Sequence, residues 1–332
     1  MGRHLIRRLI RERKSVWMID SLYSGQDPRT WLPDFERFDD GVVQVFKDGS
    51  VELRFMQTDT IEFFQGQIQG KPGPMLPDSF SDVFHLASII GGRRVIDGDP
   101  MLVATDLAID SLFFRWAVLN RDRIGRILYA SSSAAYPVDL QGETGDSATR
   151  LVEDMIKFDG RIGRPDMTYG WSKLTGEYLA QIAASGYGMK TSCVRPFSGY
   201  GEDQDSAYPI PAIAERALRH EDPLTIWGSG HQGRDFVHIE DCIDAFFIIM
   251  DHAGGGRGVN IGSGVLTTFM EIAQMFADLE GYTPVIAPLA DRPTGVMSRY
   301  CDPSLVRSYG WTPKIKLRDG LSRVLDFRRE HV

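Results

Sequence analysis

Three features that are scarce or absent in this 332-residue sequence exclude several classes of protein. It has only 3 cysteines, Cys193, Cys242 and Cys301, which lie far apart in no Cys-x-x-Cys or Cys/His cluster. Zinc sites and disulfide scaffolds need such clusters, so we expect buried thiols and no metal. No apolar run approaches the roughly 20 residues of a membrane helix, and the arginine-rich start lacks an apolar segment behind it. We therefore expect a cytoplasmic protein that crosses no membrane.

An excess of basic charge is also absent. The formal charge is -8, with 25% charged and 42% hydrophobic residues. This balance argues against nucleic acid as the main partner, although a local basic cleft for an anionic small molecule fits it. The length suffices for one large or two ordinary domains with a real core.

Short apolar runs alternate with helical patterns along most of the chain. A hairpin is predicted around Asp48-Gly49, a dipeptide that favours tight turns, and residues 55–59 are predicted to add a strand that ends at Asp59. This alternation indicates an α/β fold with a parallel, doubly wound, Rossmann-like sheet. The predicted helices include those at 2–14, 100–120, 168–185, 210–219, 241–252 and 268–279. The predicted strands include those at 15–20, 42–46, 51–55, 82–88, 190–195 and 224–227 and one that begins at 127 and ends in the serines at 131–133.

The densest chemistry follows one strand and the helix after it. Tyr169 and Lys173 are four residues apart, so on a helix they share a face, where the cation favours the ionised phenol. If the strand ending in Ser131-Ser132-Ser133 delivers Ser132 to the same cleft, a hydroxyl orients a substrate alcohol and a tyrosine exchanges its proton. Alone, Tyr-x-x-x-Lys is a weak signal, because both residue types are common on exposed helices.

The N-terminal segment resembles the second half of a dinucleotide-binding βαβ unit. In such a unit, a helix leads to a strand ending in an acid, here Asp20, which binds the ribose about 20 residues after a glycine loop. Gly2 falls where the last glycine of that loop belongs, while the first strand and the rest of the loop are missing. An ordinary helix after an arbitrary start is an equally good interpretation. The first strand of such a unit is central in the sheet, and its neighbours need its backbone as a hydrogen-bonding partner. We therefore expect Met1 to be a truncated or misassigned start.

Seven segments in order and spacing resemble one family. Together they make the chain similar, over nearly its whole length, to the extended short-chain dehydrogenases/reductases of the NAD-dependent nucleotide-sugar epimerase and dehydratase group. The segments are VWMIDSLYSG (16–25), DVFHLAS (82–88), YASSSAAYP (129–137), TYGWSKLTGE (168–177), RPFSGYG (195–201), GSGHQGRDFVHIEDCIDA (228–245) and NIGSG (260–264).

The resemblance implies a catalytic set and a cofactor, NAD. Tyr169 is the implied acid/base, Lys173 the cation that assists it and binds the nicotinamide ribose, and Ser132 the orienting hydroxyl, with Ser131 and Ser133 as alternatives. Asp20 implies NAD rather than NADP, because a 2′-phosphate would meet its carboxylate. The implied cofactor-binding residues are Gly2, Asp20, Asp59 at the adenine, Leu86, Ala87, Ser88, Tyr169, Lys173 and Pro196 at the nicotinamide.

The resemblance also implies a nucleotide-sugar substrate, with arginines that clamp its diphosphate. The implied substrate-binding residues are Gly91, Gly92, Ser132, Ser198, Arg234, Arg292 and Arg299. Within the group, the GDP-mannose 3,5-epimerases are most similar, yet Ala134 replaces their acid/base cysteine and residues 202–207 lack their lysine. The Asp-Glu pair of 4,6-dehydratases is also missing, and Ser198 and Asp106 replace asparagines found in many relatives.

These residues lead to an expected function. We expect an NAD-dependent epimerase that acts on a nucleotide-activated sugar through a 4-keto intermediate, because that chemistry needs no second acid/base. The alternatives are a 4-dehydrogenase/reductase, a 3,5-epimerase, or a non-catalytic relative that binds NAD or a nucleotide-sugar. We expect an NAD-binding domain at 1–195 plus about 234–262, and a substrate-binding lobe at about 196–233 and 263–332. A homodimer is expected through the helices at 100–120 and 168–185.

Overall fold

The computed structural model describes residues 1–39, 41–91, 93–160, 162–292 and 294–331. Parallel strands alternate with helices through most of the chain. The strands are β1 (Val16–Asp20), β2 (Glu36–Asp39), β3 (Gln44–Asp48), β4 (Val51–Gln57), β5 (Phe80–His85), β6 (Ile124–Ala130), β7 (Arg150–Leu151), β8 (Lys190–Pro196), β9 (Ser198–Tyr200), β10 (Leu224–Trp227), β11 (Gly233–Arg234), β12 (Phe236–His238), β13 (Gly258–Ile261), β14 (Thr267–Thr268), β15 (Ile286–Leu289) and β16 (Ser298–Cys301).

The helices cover both faces of the strands. The helix predicted at 100–120 is divided at residues 104 and 105 into a helix of 4 residues and one of 14, whereas the one predicted at 168–185 is continuous. The helices are α1 (Gly2–Arg11), α2 (Pro28–Trp31), α3 (Thr60–Ile68), α4 (Arg93–Gly98), α5 (Pro100–Val103), α6 (Asp106–Leu119), α7 (Met167–Tyr187), α8 (Pro209–Leu218), α9 (Ile239–His252), α10 (Phe269–Glu280), α11 (Ser304–Ser308) and α12 (Leu317–His331).

A four-stranded parallel sheet, in the order β13-β8-β6-β5, positions the predicted active site. On one face, α3, α6 and α7 bury an aromatic core that includes Phe113 and Tyr129. On the other face, α9 packs Phe246 and its neighbours against the strands. Helices on both faces of parallel strands confirm the predicted doubly wound, Rossmann-like fold.

A second sheet, in the order β1-β4-β3-β2, pairs β1 and β4 in parallel and contains the predicted hairpin. The hairpin turn is Gly49-Ser50, and Gly49 adopts the left-handed φ of 59° that such a turn requires. The separate strand predicted at 55–59 is wrong, because β4 runs unbroken to Gln57 and Asp59 instead caps α3.

The two sheets are not hydrogen-bonded to each other. Within the described ranges, β1 pairs only with β4 and β5 only with β6, so the expected single sheet is divided in two. Helix α1 contacts both halves, because Leu5 packs into the core of the β13-β8-β6-β5 sheet and Ile6 packs against Trp31 in the other. The helix ends at Arg11, three residues earlier than predicted.

The later part of the chain forms a separate core of α8, α10, α12 and β10, which contains Ile213 and Phe276. This core belongs to the segments predicted as the lobe. Val306 and Trp311, also predicted in the lobe, instead pack with Phe246 in the core of the first sheet. All three cysteines are buried and free, as expected. No helix among the described residues is both long enough and apolar enough to cross a membrane.

Candidate active site

Helix α7 carries Tyr169 and Lys173 on one face, as their spacing predicts. Lys173 is 3% exposed, and its Nζ lies 5.7 Å from the centre of the Tyr169 ring. In the part of the chain that the structure describes, neither the ammonium nor the Tyr169 hydroxyl makes a hydrogen bond to another residue. Both groups therefore keep hydrogen-bond donors that suit a ligand rich in oxygen.

The three serines after β6 have different environments. Ser131 donates its hydroxyl to Glu177, and Ser133 is 4% exposed. Ser132 is half-buried, and its hydroxyl oxygen accepts a hydrogen bond of 3.1 Å from the amide of Ala134. A hydroxyl that accepts from the backbone keeps its proton available as a donor. Ser132 is therefore the serine with both access and a remaining hydrogen-bond donor.

The turn that contains these serines packs on the first turn of α7. The amide of Asp166 donates to the carbonyl of Ala134 at 3.0 Å. Gly170 permits this contact, because a Cβ on it would lie 2.3 Å from that carbonyl oxygen. Since Gly170 follows Tyr169 directly, the close approach brings the Ser132 turn to the end of α7 that carries Tyr169.

A buried ion pair joins α7, β6 and β8 behind this turn. The Arg195 guanidinium donates to both oxygens of Glu177, at 2.8 and 2.6 Å, and the two side chains are 3% and 0% exposed. Bidentate geometry of this kind fixes orientation as well as distance. Because Glu177 lies one turn beyond Lys173 and also binds Ser131, the pair fixes the helix relative to the serine strand.

The loop after β5 is held by a buried carboxylate. Asp106 accepts hydrogen bonds from the Ser88 hydroxyl and from the Ile89 amide. Burial raises the pKa of Asp106, and the Lys173 cation partly offsets that effect. The side chains of Leu86, Ala87 and Ser88 are half-buried, and Leu86 packs against the core. At Gly91 there is no room for a side chain, because a Cβ would lie 2.5 Å from Val95. Gly92 lies outside the described residues.

The other predicted cofactor-binding residues lie at element ends. Asp20 ends β1, half-buried, and accepts a 2.7 Å hydrogen bond from the Leu22 amide. Asp59 is exposed and accepts from the Ile61 and Glu62 amides at the start of α3. Gly2 begins α1 with open space around it, and Pro196 ends β8.

The predicted substrate-binding residues differ in how far other protein groups already engage their side chains. Arg299 is already engaged, with an ion pair of 2.9 Å to Asp166. Arg234 donates to backbone carbonyls and lies 5.8 Å from the Phe269 ring centre. Arg292 is exposed and lies 5.8 Å from the ring centre of Trp227, which is 42% exposed. Ser198 is half-buried at the start of β9. Arg292 is thus open to ligands, whereas Arg299 positions the start of α7.

Sequence reasoning missed a set of buried polar residues beneath Lys173. Asp110 on α6, with Tyr129 and His85, forms a hydrogen-bonded group that contacts Lys173 through the Tyr129 ring. One signal was present in the sequence: Asp106 and Asp110 recur four residues apart in an apolar helix, which places two carboxylates on its buried face.

Comparison with known proteins identifies the family. The profile of the NAD dependent epimerase/dehydratase family matches residues 1–262, which include both sheets and the Tyr169 site. The chain belongs to this family. Membership in the epimerase/dehydratase family confirms the predicted relationship, the class of enzyme and NAD as the cofactor.

Individual members of the family are similar over most of the chain. A putative GDP-L-fucose synthase 2 from Oryza sativa subsp. japonica is 30% identical over 257 residues, or 75% of this chain and 72% of that protein. GDP-mannose 3,5-epimerase 1 from Oryza sativa subsp. indica is 27% identical over 251 residues, or 74% of this chain and 63% of that protein. The structure of a UDP-glucose 4-epimerase from Thermotoga maritima has a TM-score of 0.76 at 22% identity and covers 99% of this chain and 96% of that one, which supports the fold.

The described residues fit the cofactor of the epimerase/dehydratase family at two points. Lys173 offers an ammonium with no hydrogen bond to a described residue, which suits ribose hydroxyls, and Asp20 offers a half-buried carboxylate at a strand end. When bound, NAD supplies a hydride acceptor that later becomes a hydride donor.

Proposed function

We propose that this chain epimerises a nucleotide-activated sugar by reversible oxidation of a ring hydroxyl, with C4 as the reacting carbon. One observation carries the proposal: Lys173, 3% exposed and without a hydrogen bond in the described part of the chain, lies 5.7 Å from the ring centre of Tyr169, and the turn with the half-buried Ser132 packs on the start of the same helix. Such a cation favours the ionised form of a phenol, which is what a base for an alcohol requires.

Each residue has one role in the proposed reaction. Ser132 hydrogen-bonds the sugar oxygen, and Tyr169 removes the hydroxyl proton. After the keto-sugar rotates in the cleft, Tyr169 returns the proton to the same oxygen. Bound NAD would supply the acceptor, and then the donor, of the hydride. The cycle is redox-neutral and needs no second acid/base, which is why we prefer it to the alternatives.

The alternatives differ in what happens after oxidation. Release of the keto-sugar would make the chain a 4-dehydrogenase or, in reverse, a reductase. A 3,5-epimerase needs a second proton shuttle, and the position of its cysteine is Ala134, which is 2% exposed, with no lysine in 202–207. A non-catalytic relative would bind NAD or the sugar nucleotide without turnover.

The proposed substrate carries a nucleoside diphosphate. Arg234 and Arg292 support this, because guanidinium groups bind phosphate oxygens in a bidentate manner. The similarity to proteins named for GDP-sugars makes guanosine the first nucleotide to test.

Substrate screening tests the proposal directly. Purified protein is incubated with NAD and with GDP-, UDP-, dTDP- and CDP-sugars in turn, and products are identified by NMR. We expect a new C4 epimer from at least one sugar nucleotide. A free keto-sugar with stoichiometric NADH would identify a dehydrogenase instead, and no turnover of any candidate would refute catalysis on this substrate class.

Replacement of the tyrosine tests the assigned chemistry. Tyr169→Phe keeps the ring over Lys173 but removes the acid/base, so turnover should fall by about 10²- to 10⁴-fold. Tyr178→Phe is the matched control, because Tyr178 lies on the same helix and is 47% exposed. Near-normal turnover by Tyr169→Phe would show that another group moves the proton.

A further inference from the structure

Beneath Lys173, three buried side chains form a hydrogen-bonded chain that the proposed reaction does not use. The Tyr129 hydroxyl donates to one oxygen of Asp110 at 2.6 Å, and His85 Nε2 lies 2.8 Å from the other oxygen. Tyr129, Asp110 and His85 are 0%, 1% and 4% exposed. On the opposite side, the face of the Tyr129 ring lies 5.6 Å from Lys173 Nζ.

The residues around this hydrogen-bonded group leave space for it and hold it in place. Gly176 on α7 faces the hydrogen bond, and a Cβ there would lie 2.0 Å from the Tyr129 hydroxyl and 2.8 Å from the carboxylate. The His85 ring stacks on Phe113 at 4.0 Å between centres, with 7° between the ring planes. The hydrogen-bonded groups are thus fixed from two sides, and substitutions at Gly176 would separate them.

The hydrogen bond from Tyr129 to Asp110 has an electrostatic consequence for Lys173. Burial, followed by the Asp110 charge, raises the pKa of Tyr129 well above its usual value, so its phenol stays protonated and donates to the carboxylate. A phenol that donates to an anion carries more negative charge on its ring face, and that face attracts a cation. Lys173 Nζ lies 5.6 Å from the centre of this Tyr129 ring and 5.7 Å from the centre of the Tyr169 ring.

We propose that Tyr129 and Asp110 are positioning residues that hold the Lys173 ammonium, in its charged form, against Tyr169, and that His85 holds the Asp110 carboxylate. The functional consequence rests on the proposed roles of Tyr169 and Lys173. Asp106, Glu177 and Cys193 are the other ionisable groups in this electrostatic environment, and the test must separate Asp110 from them.

Chemical labelling of Lys173 tests the inference without substrate or turnover. Only the neutral amine reacts with acetic anhydride, so the acetylation rate of Lys173, measured by peptide mass spectrometry near neutral pH, reports its charge. Asp110→Asn removes the negative charge and keeps the shape. We expect acetylation of Lys173 to be roughly tenfold faster, the scale of one charge acting across several ångströms of protein interior.

Matched variants separate this effect from general loosening. Asp241→Asn removes another helix carboxylate that is 1% exposed, and Tyr136→Phe removes another tyrosine hydroxyl that is 0% exposed. Neither should change Lys173 acetylation, whereas Tyr129→Phe should accelerate it. If Asp110→Asn or Tyr129→Phe folds and acetylates at the wild-type rate, the inference is wrong. Equal acceleration in the control variants would also overturn it.

Turnover distinguishes this inference from the proposed function. With an active sugar nucleotide, Asp110→Asn should lower kcat about tenfold and leave KM unchanged, since Asp110 is 1% exposed and is bonded to His85 and Tyr129. Normal turnover by Tyr169→Phe would refute the proposed function and leave the acetylation result standing. A Tyr169→Phe variant that loses turnover, beside an Asp110→Asn variant with unchanged acetylation, would refute the positioning role alone.

Discussion

Two buried cationic residues, Arg195 and Lys173, differ in their hydrogen-bonding partners. Arg195 and Lys173 are each 3% exposed. Arg195 donates to both oxygens of Glu177 and to the Tyr136 hydroxyl. Lys173 makes no hydrogen bond within the described residues, where two aromatic faces and the charge of Asp106 surround it. A buried charge with a full set of protein partners maintains the architecture. One without hydrogen-bonding partners has its donors available for a ligand.

The comparison is sharpest if the two cations are replaced in the same way. Arg195→Met leaves the Glu177 carboxylate buried with Ser131 as its remaining donor, so the free energy of unfolding should fall by about 3–5 kcal/mol. Urea denaturation measures this loss. The loss should be larger than the change in stability caused by replacing Lys173 or Asp20.

A double variant shows whether the loss comes from the unpaired charge. Arg195→Met combined with Glu177→Gln removes both charges, so most of the stability should return. If the double variant is as unstable as Arg195→Met alone, packing rather than charge accounts for the loss, and Arg195 would no longer differ from Lys173 in kind.

Lys173→Met should behave differently. The substitution removes an ammonium that has no ion pair among the described residues. The cation–π contacts that are lost and the desolvation cost that is relieved oppose each other, so the free energy of unfolding should change by less than about 1 kcal/mol. Binding of NAD, measured by calorimetry, should weaken by about tenfold or more, the scale of a lost charged hydrogen bond. A loss of stability as large as that of Arg195→Met, with unchanged NAD affinity, would contradict the ligand role.

The sequence predicted helix α7 well because its signals are local. Spacing alone places Tyr169 and Lys173 on one face, and Asp-Gly predicts the turn between β3 and β4. The sequence did not predict that Lys173 makes no hydrogen bond to another described residue. That property depends on which side chains α6, β6 and α7 place around the ammonium in the folded protein. The choice of Ser132 among three serines likewise depends on the contact of Ser131 with Glu177, 46 positions away in sequence.

Residues whose partners are distant were the hardest to interpret. Arg299 matches a substrate-binding position, yet its guanidinium pairs with Asp166, 133 positions away, a contact that no local pattern indicates. Asp110 and His85 are 25 positions apart and meet only because β5 and α6 pack together. A lone histidine in an apolar strand predicts a buried residue, and its partner becomes evident only in the folded chain.

Asp20 extends the comparison to a half-buried carboxylate. Its half-buried carboxylate accepts a hydrogen bond from the Leu22 amide, and burial raises its pKa above the usual aspartate value. Such a group contributes its full stability below about pH 4 and loses it as pH rises through the folded-state pKa. Asp20→Asn keeps the acceptor oxygen but does not titrate. Its free energy of unfolding should therefore exceed that of the wild type by a margin that grows from pH 3 to 7, reaching at most about 1 kcal/mol.

Urea denaturation across this pH range measures the margin. Asp39→Asn is the control, because Asp39 accepts an equivalent 2.7 Å hydrogen bond from the Gly41 amide but is exposed. The control should show no such growth, since an exposed carboxylate loses little hydration on folding. With bound NAD, the order should reverse if Asp20 binds the ribose, because only the carboxylate accepts from both hydroxyls. A margin that grows toward acid would mean that the protein stabilises the ionised carboxylate of Asp20, and that this carboxylate is not held ready for a ligand.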